Sequence, residues 1–242
     1  AIIPRTFTAS NCSQLETAAT NATSSNDLVN ITANIDNSCG AVFGSSTPFL
    51  GTFEGNGYTI TQSVAGTPLF YQVTDATIQN LTVDGTIALG GVEPFGPLGS
   101  LVTGGVYDNV TSSVHLISTD EGDISQIGGF IGRIEDETSD VYIRNSAFTG
   151  SITLTGIDRS FWAIGGLIGE AESSYDDRIY VTSTVVSGEI NLDAGDVFGI
   201  GSFIGMLGSF GEGFASVGTG MWIENATSSL DIDIETRELS LI

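Results

Sequence analysis

From residue 49 onward the chain repeats a two-part motif, and this repetition constrains the fold more than any other feature. The first part reads as a glycine-flanked apolar strand: Gly96-Pro-Leu-Gly99, Gly128-Gly-Phe-Ile-Gly132, Gly165-Gly-Leu-Ile-Gly169 and Gly201-Ser-Phe-Ile-Gly205, with a degenerate copy at Thr67-Pro-Leu-Phe70. The second part begins as Ile78-Gln-Asn80-Leu-Thr-Val-Asp-Gly85-Thr-Ile87 and recurs from Tyr107, Ile143, Val181 and Ile223. Its third position reads Asn80, Asn109, Asn145, Ser183 and Asn225, and its tenth Ile87, Leu116, Ile152, Ile190 and Ile232. The third positions lie 29, 36, 38 and 42 residues apart. Elements this short, β-branched and glycine-punctuated have no helical period. They predict a coil of strands per repeat, with stacked coils forming parallel sheets: an all-β solenoid. Apolar side chains fill the inside of such a stack. The widening spacings read as growing loops. The flanking glycines are expected to turn the chain through positive φ.

The first 48 residues differ. Residues 1–12 read as extended, with Pro4. Ser13 followed by Glu16 is a capping-box pattern, and Leu15, Ala18, Ala19 and Ala22 recur at helical spacing, so a short capping helix is predicted over 13–22. Val29, Ile31, Ala33 and Ile35 alternate with Asn30, Thr32 and Asn34, the pattern of one half-wet strand. The layout expected is a single domain: an N-terminal extension, helix and first strand over 1–48, repeats over 49–235, and a tail over 236–242.

Charge removes several functions. The chain of 242 residues carries 6 basic and 29 acidic groups, a net −23, and every basic group is arginine. Neutralisation of nucleic-acid phosphates is excluded, and anionic membranes repel such a surface. No apolar run of about 20 residues is present. The chain starts at Ala1, which suggests processing, and Asn11, Asn21, Asn30, Asn80, Asn109 and Asn225 begin Asn-x-Ser/Thr sequons. Cys12 and Cys39 are expected to pair, the alternative being two buried thiols. Together these features point to an extracellular or cell-surface glycoprotein.

Candidate chemistry is sparse. The Asn80 column is expected to point inward as an amide ladder, which would deny it glycans and leave Asn30, Asn21 and Asn11 as the acceptors. Acidic loops, above all Asp120, Glu121 and Asp123, are weak calcium candidates without EF-hand spacing; no other cofactor is expected. The ninth motif position stacks Thr86, His115, Ser151, Glu189 and Asp231. A nucleophile triad needs histidine between serine and acid, and here serine is central. Glu189 with Asp231 is the on-strand carboxylate pair a glycoside hydrolase would use. The fifth position, Thr82, Thr111, Ala147, Val185 and Thr227, is too irregular for a threonine face that binds ice. No catalytic residue is assigned.

The glycine-flanked steps resemble GLUG-repeat proteins, named for their Gly-Leu-x-Gly core. Residues 49–60, Phe-Leu-Gly-Thr-Phe-Glu-Gly-Asn-Gly-Tyr-Thr-Ile, resemble the opening coil of such arrays, and the preceding helix is similar to the N-terminal cap of right-handed parallel β-helices. The resemblance spans about 10–235. It implies a right-handed parallel β-helix used as a structural or spacer module of adhesins and large surface proteins. The function expected is a surface or adhesive module or a self-assembling filament subunit. Its partners would be other copies of itself and surface glycans. A carbohydrate-active β-helix enzyme is the alternative, and an ice-binding solenoid the second. Leu230, Ile232 and Ile234 alternate with Asp231, Asp233 and Glu235, so the last strand is expected to pair with a neighbouring copy, residues 1–8 supplying the other half of the joint.

Overall fold

The computed structural model describes residues 3–118, 123–135, 139–171, 178–207 and 220–236. These residues are all-β apart from one helix, and their strand pairings are parallel. Each strand's neighbours come from the preceding and following repeats. One ladder runs β1 (Thr6–Ala9), β2 (Leu28–Ile31), β4 (Thr52–Glu54), the start of β7 (Ala76–Ala88) and of β9 (Gly105–Ser118), β12 (Val141–Arg144), β16 (Arg178–Thr182) and β19 (Gly220–Glu224). A second runs β3 (Ile35–Asp36), β5 (Thr59–Gln62), the remainder of β7 and β9, then β13 (Ala147–Phe148) with the first part of β14 (Ser151–Gly165), β17 (Val185–Gly201) and β20 (Thr227–Thr236). A third runs β6 (Gln72–Val73), β8 (Gly99–Val102), β11 (Ile131–Ile134), β15 (Ile168–Ala171) and β18 (Ile204–Leu207).

In-register stacking places like on like. The tenth motif position forms one inward column, Ile87, Leu116, Ile152 and Ile190, each fully buried. Near the N-terminal end Phe43, Phe49, Phe53 and Phe70 form a cluster with ring centroids 5.2–5.5 Å apart, mostly edge-on or tilted, the arrangement that the ring quadrupole favours. Helix α1 (Cys12–Asn21) covers this end and buries Leu15 and Ala18. Its cap is Asn11, not Ser13: the Asn11 side chain accepts from the Gln14 backbone N–H at 3.1 Å, and Gln14 Oε1 accepts from the Ser10 N–H at 2.8 Å. The arrangement resembles a capping box set two residues upstream, with Gln14 reaching the N–H before the cap and not that of the cap itself. The expected Cys12–Cys39 disulfide is present, with the Cα atoms 5.9 Å apart. The predicted strand over 28–36 is two strands on two ladders, broken at 32–34.

The inward amide ladder is overturned. Asn80, Asn109, Asn145, Ser183 and Asn225 all have φ between 50 and 55°, as does Asn56 at 52°. This is the left-handed region, which Asn tolerates better than other side chains that carry a Cβ. The reversal breaks strand alternation, so Gln79 and Asn80 both stand away from the core between buried Ile78 and Leu81. The column therefore marks the corner between the first two ladders and faces solvent. Among the described residues the column makes one ladder bond, Asn109 Nδ2 to Asn80 Oδ1 at 2.9 Å; Asn80 donates to Glu54 Oε1 at 3.0 Å and Asn145 to Asp108 Oδ1 at 2.9 Å.

Two further expectations are corrected. The repeat glycines do not turn through positive φ, since none of Gly128, Gly129, Gly132, Gly165, Gly166 or Gly169 lies there. They are glycine because a Cβ has nowhere to go: at Gly128 and Gly165 it would overlap the carbonyl oxygens of Ile131 and Ile168, and at Gly129 the Gly166 oxygen and the Phe148 ring. The widening repeats, moreover, add strand as well as loop. Residues 124–128, 160–165 and 196–201 build a fourth ladder from β10 (Ile124–Gly128), the end of β14 and the end of β17. Gln126, Ala163 and Gly199 turn there at φ 58, 55 and 68°.

Candidate functional site

The two ends of the stack are unlike. At the N-terminal end α1 and the disulfide close the core, and Ala9 and Leu15 are fully buried. At the other end β18, β19 and β20 each pair on one edge only among the described residues. Exposure changes within a single layer. Val181, Ile190 and Leu192 are at most 3% exposed, whereas their neighbours in register, Ile223, Ile232 and Ile234, are 48, 37 and 39% exposed. Leu207, stacked on buried Ala171, is 50% exposed. Among the described residues, β18, β19 and β20 thus have the inward pattern of a core with one face uncovered and one backbone edge unpaired.

On the outside of the first ladder an aromatic column leads to this end. Tyr142 and Tyr180 stack with centroids 4.8 Å apart and planes 4° from parallel, and Trp222 follows at 6.3 Å. Trp222 is 55% exposed, and the Arg178 guanidinium lies 5.7 Å from its ring centre. The Tyr142 hydroxyl donates to Asp140 Oδ2 at 2.9 Å, which holds its pKa above the usual phenol value. Alongside runs Arg144, paired with Asp108 at 3.0 Å. Motif analysis missed this column because it sits one position before the motif. The signal was there: a tyrosine or tryptophan precedes each of Ile143, Val181 and Ile223.

The ninth-position column forms in register as Thr86, His115, Ser151, Glu189 and Asp231. His115 Nδ1 is 2.9 Å from Ser151 Oγ, and Glu189 stands on the far side of the serine, so no carboxylate orients the imidazole along this column. Glu189 accepts from Asn191 Nδ2 at 3.3 Å and is the register neighbour of Asp231. The fifth position also forms one outward column, with Val185 43% exposed among its threonines.

Of the calcium candidates, Asp120 and Glu121 lie outside the described residues. Asp123 Oδ1 accepts from the Ser160 N–H at 2.9 Å. Among the described residues no group of three or more His, Cys, Asp or Glu side chains is placed to hold a metal ion. Of the glycan candidates, Asn30 presents its oxygen to Asn56 Nδ2 at 2.8 Å, Asn21 donates to the Thr17 carbonyl at 2.7 Å, and Asn11 is the helix cap. Asn109 and Asn225 are exposed at the corner, so the inward-facing argument against their sequons falls. No described helix is long and apolar enough to cross a membrane.

No family model matches the sequence, and no curated protein matches it. Among solved structures the chain is similar to a protein of Bacteroides ovatus described as "a putative immunoglobulin A1 protease", with a TM-score of 0.53 and 14% identity over 97% of this chain and 79% of that one. The likeness is one of fold alone.

Proposed function

We propose that this chain is an extracellular structural module, a surface or adhesive unit built as a closed right-handed parallel β-solenoid, and that it works by association through its open layer. Handedness follows from the near-universal right-handed crossover between parallel strands. The disulfide suits an oxidising compartment. The resemblance of the glycine-flanked steps to GLUG repeats supports the spacer role. One observation carries the reading: among the described residues the core is sealed at the helix end and uncovered at β18, β19 and β20. The net charge of −23 opposes contact between copies, so association strengthens as salt screens it and as pH falls toward the isoelectric point of 4.1. Light scattering of the folded chain across salt and pH tests this. A mass that rises with salt is expected, and a monomer under every condition overturns the reading.

A further inference from the structure

We propose that the edge where the first and second ladders meet is an N-glycosylation edge, with Asn30, Asn109 and Asn225 the asparagines modified. This rests on the extracellular part of the reading above and not on association. The sequons lie scattered through the sequence. The stack gathers Asn30, Asn80, Asn109 and Asn225 on this one edge. The in-register pairs Asn30–Glu54, Glu54–Gln79, Gln79–Asp108, Asp108–Arg144, Arg144–Thr182 and Thr182–Glu224 carry one line from β2 to β19. Asn30 is on that line, and Asn80, Asn109 and Asn225 each stand one residue beyond it. Asn11 and Asn21, at the two ends of α1, lie off it.

Glycan attaches at Nδ2 of an asparagine whose second successor carries a hydroxyl. At the corner, φ of 55° for Asn109 and 52° for Asn225 turns the side chains outward, and both are exposed. Their hydroxyl partners, Thr111 and Thr227, follow on the outward column of the second ladder. Asn109 is exposed with tiers stacked on both sides, so this column needs no chain end to reach solvent. Asn109 spends one Nδ2 hydrogen on Asn80 and keeps the other. Among the described residues the Asn225 side chain and the Nδ2 of Asn30 make no hydrogen bond, Asn30 being held through its oxygen. Asn80 differs: its Nδ2 donates to both oxygens of Glu54, at 3.0 and 3.2 Å, and its Oδ1 accepts from Asn109. A glycan there would break into a charge-assisted contact, so Asn80 stays bare. Asn30 lies three tiers from Asn109, and Asn109 three from Asn225, about 14 Å each at ~4.8 Å per tier. The three glycans form an evenly spaced row. The transfer joins Nδ2 to the anomeric carbon of a polyprenyl-diphosphate-linked oligosaccharide. The C–O bond to the diphosphate breaks, its electron pair leaves with the diphosphate, and the amide gives up one proton.

The test is secretion of the full chain from cultured insect cells behind a cleavable leader. The folded product is deglycosylated enzymatically in heavy-oxygen water, which marks each occupied asparagine as aspartate, and is mapped by peptide mass spectrometry. Marks at Asn30, Asn109 and Asn225 are expected, with Asn80 unmarked. Thr111→Val and Thr227→Val should each remove one glycan from the intact mass, and Thr82→Val none. Val185 and Ala147 already stand in that column, so these variants keep the fold. A secreted chain with no mark on the edge, or with marks at Asn11 and Asn21 alone, overturns the glycan edge and leaves association through the open layer standing. A mark at Asn80 with Asn109 bare overturns the assignment of the row. A bare chain that still associates with rising salt, or a marked chain that stays monomeric, separates the failure of one reading from that of the other.

Discussion

Asn145 shows what a single residue decides. At φ 51° it turns the chain from the first ladder into the second while its side chain, exposed, donates to Asp108. Asn145→Gly should leave stability nearly unchanged, whereas Asn145→Val, β-branched in the left-handed region, should lose about 1–2 kcal/mol; chemical denaturation measures both. The column was legible in the sequence as a repeat of Asn, but its direction was not. Strand alternation puts Asn80 on the face of Ile78, and only a positive φ, which sequence pattern does not register, moves it to the outside. A second residue-scale device lies at the N-terminus. Arg5 grips buried Asp27 through Nε at 2.9 Å and Nη2 at 2.6 Å, and Asp27 also accepts from the Ser24 N–H at 2.8 Å. The Arg5 hydrogen bond, above all, holds the Asp27 carboxyl below its ordinary pKa despite burial. A depressed folded pKa gives stability that is present above the unfolded value, about 3.9, and is lost as pH falls through the folded one. The melting temperatures of the parent and Asp27→Asn should therefore differ at neutral pH and converge in acid.

At the scale of the element, the glycine-flanked motif was read as an apolar strand turned at its ends through positive φ, whereas 129–130 and 166–167 are the bends between two strands and the glycines there have no positive φ. The difference is testable. Gly129 has no positive φ, so Gly129→Ala carries no backbone penalty, yet its new methyl would strike the Gly166 carbonyl and the Phe148 ring. A loss of about 1–3 kcal/mol is expected. Gly57→Ala should cost only its backbone strain, because φ there is 77° and nothing lies within 4 Å. The cap behaves as its sequence indicates, except that Asn11 and Gln14 do the capping assigned to Ser13 and Glu16: both pairs have the right spacing, and propensity does not separate them. Cys12 and Cys39, 27 residues apart, close a loop whose removal by paired serines should cost about 3–4 kcal/mol on the chain-entropy estimate, read by urea denaturation under non-reducing conditions. The fourth ladder was invisible because residues 160–165 and 196–201 fall in the stretch where the spacing widens, and a widening repeat looks the same whether it adds loop or strand.

For the whole molecule, stacking makes stability a matter of neighbours. A layer covered on both sides opens only when the stack opens, and a terminal layer frays alone. Amide exchange should be slowest in β7, β9 and the first part of β14 and fastest in β18, β19 and β20; adding salt should slow the last group selectively if that end is occupied. The stacked parallel architecture was legible because in-register ladders repeat one position again and again, as the column Ile87, Leu116, Ile152 and Ile190 shows. The apolar edge of β20 was legible in part: Leu230, Ile232 and Ile234 announced it, but that their neighbours in β17 are buried while Ile232 and Ile234 are exposed needed coordinates. The Asn corners have one more consequence, for how such a chain can lengthen over generations. Each corner resets the register locally: Gln79 faces Asp108 and Leu81 faces Val110 across the turn, while the distance from one corner to the next is free to be 29 residues or 42. A layer is thus a unit of inheritance. A gene duplication that copies one corner-to-corner span inserts a complete tier between two others, leaving every column above and below in step.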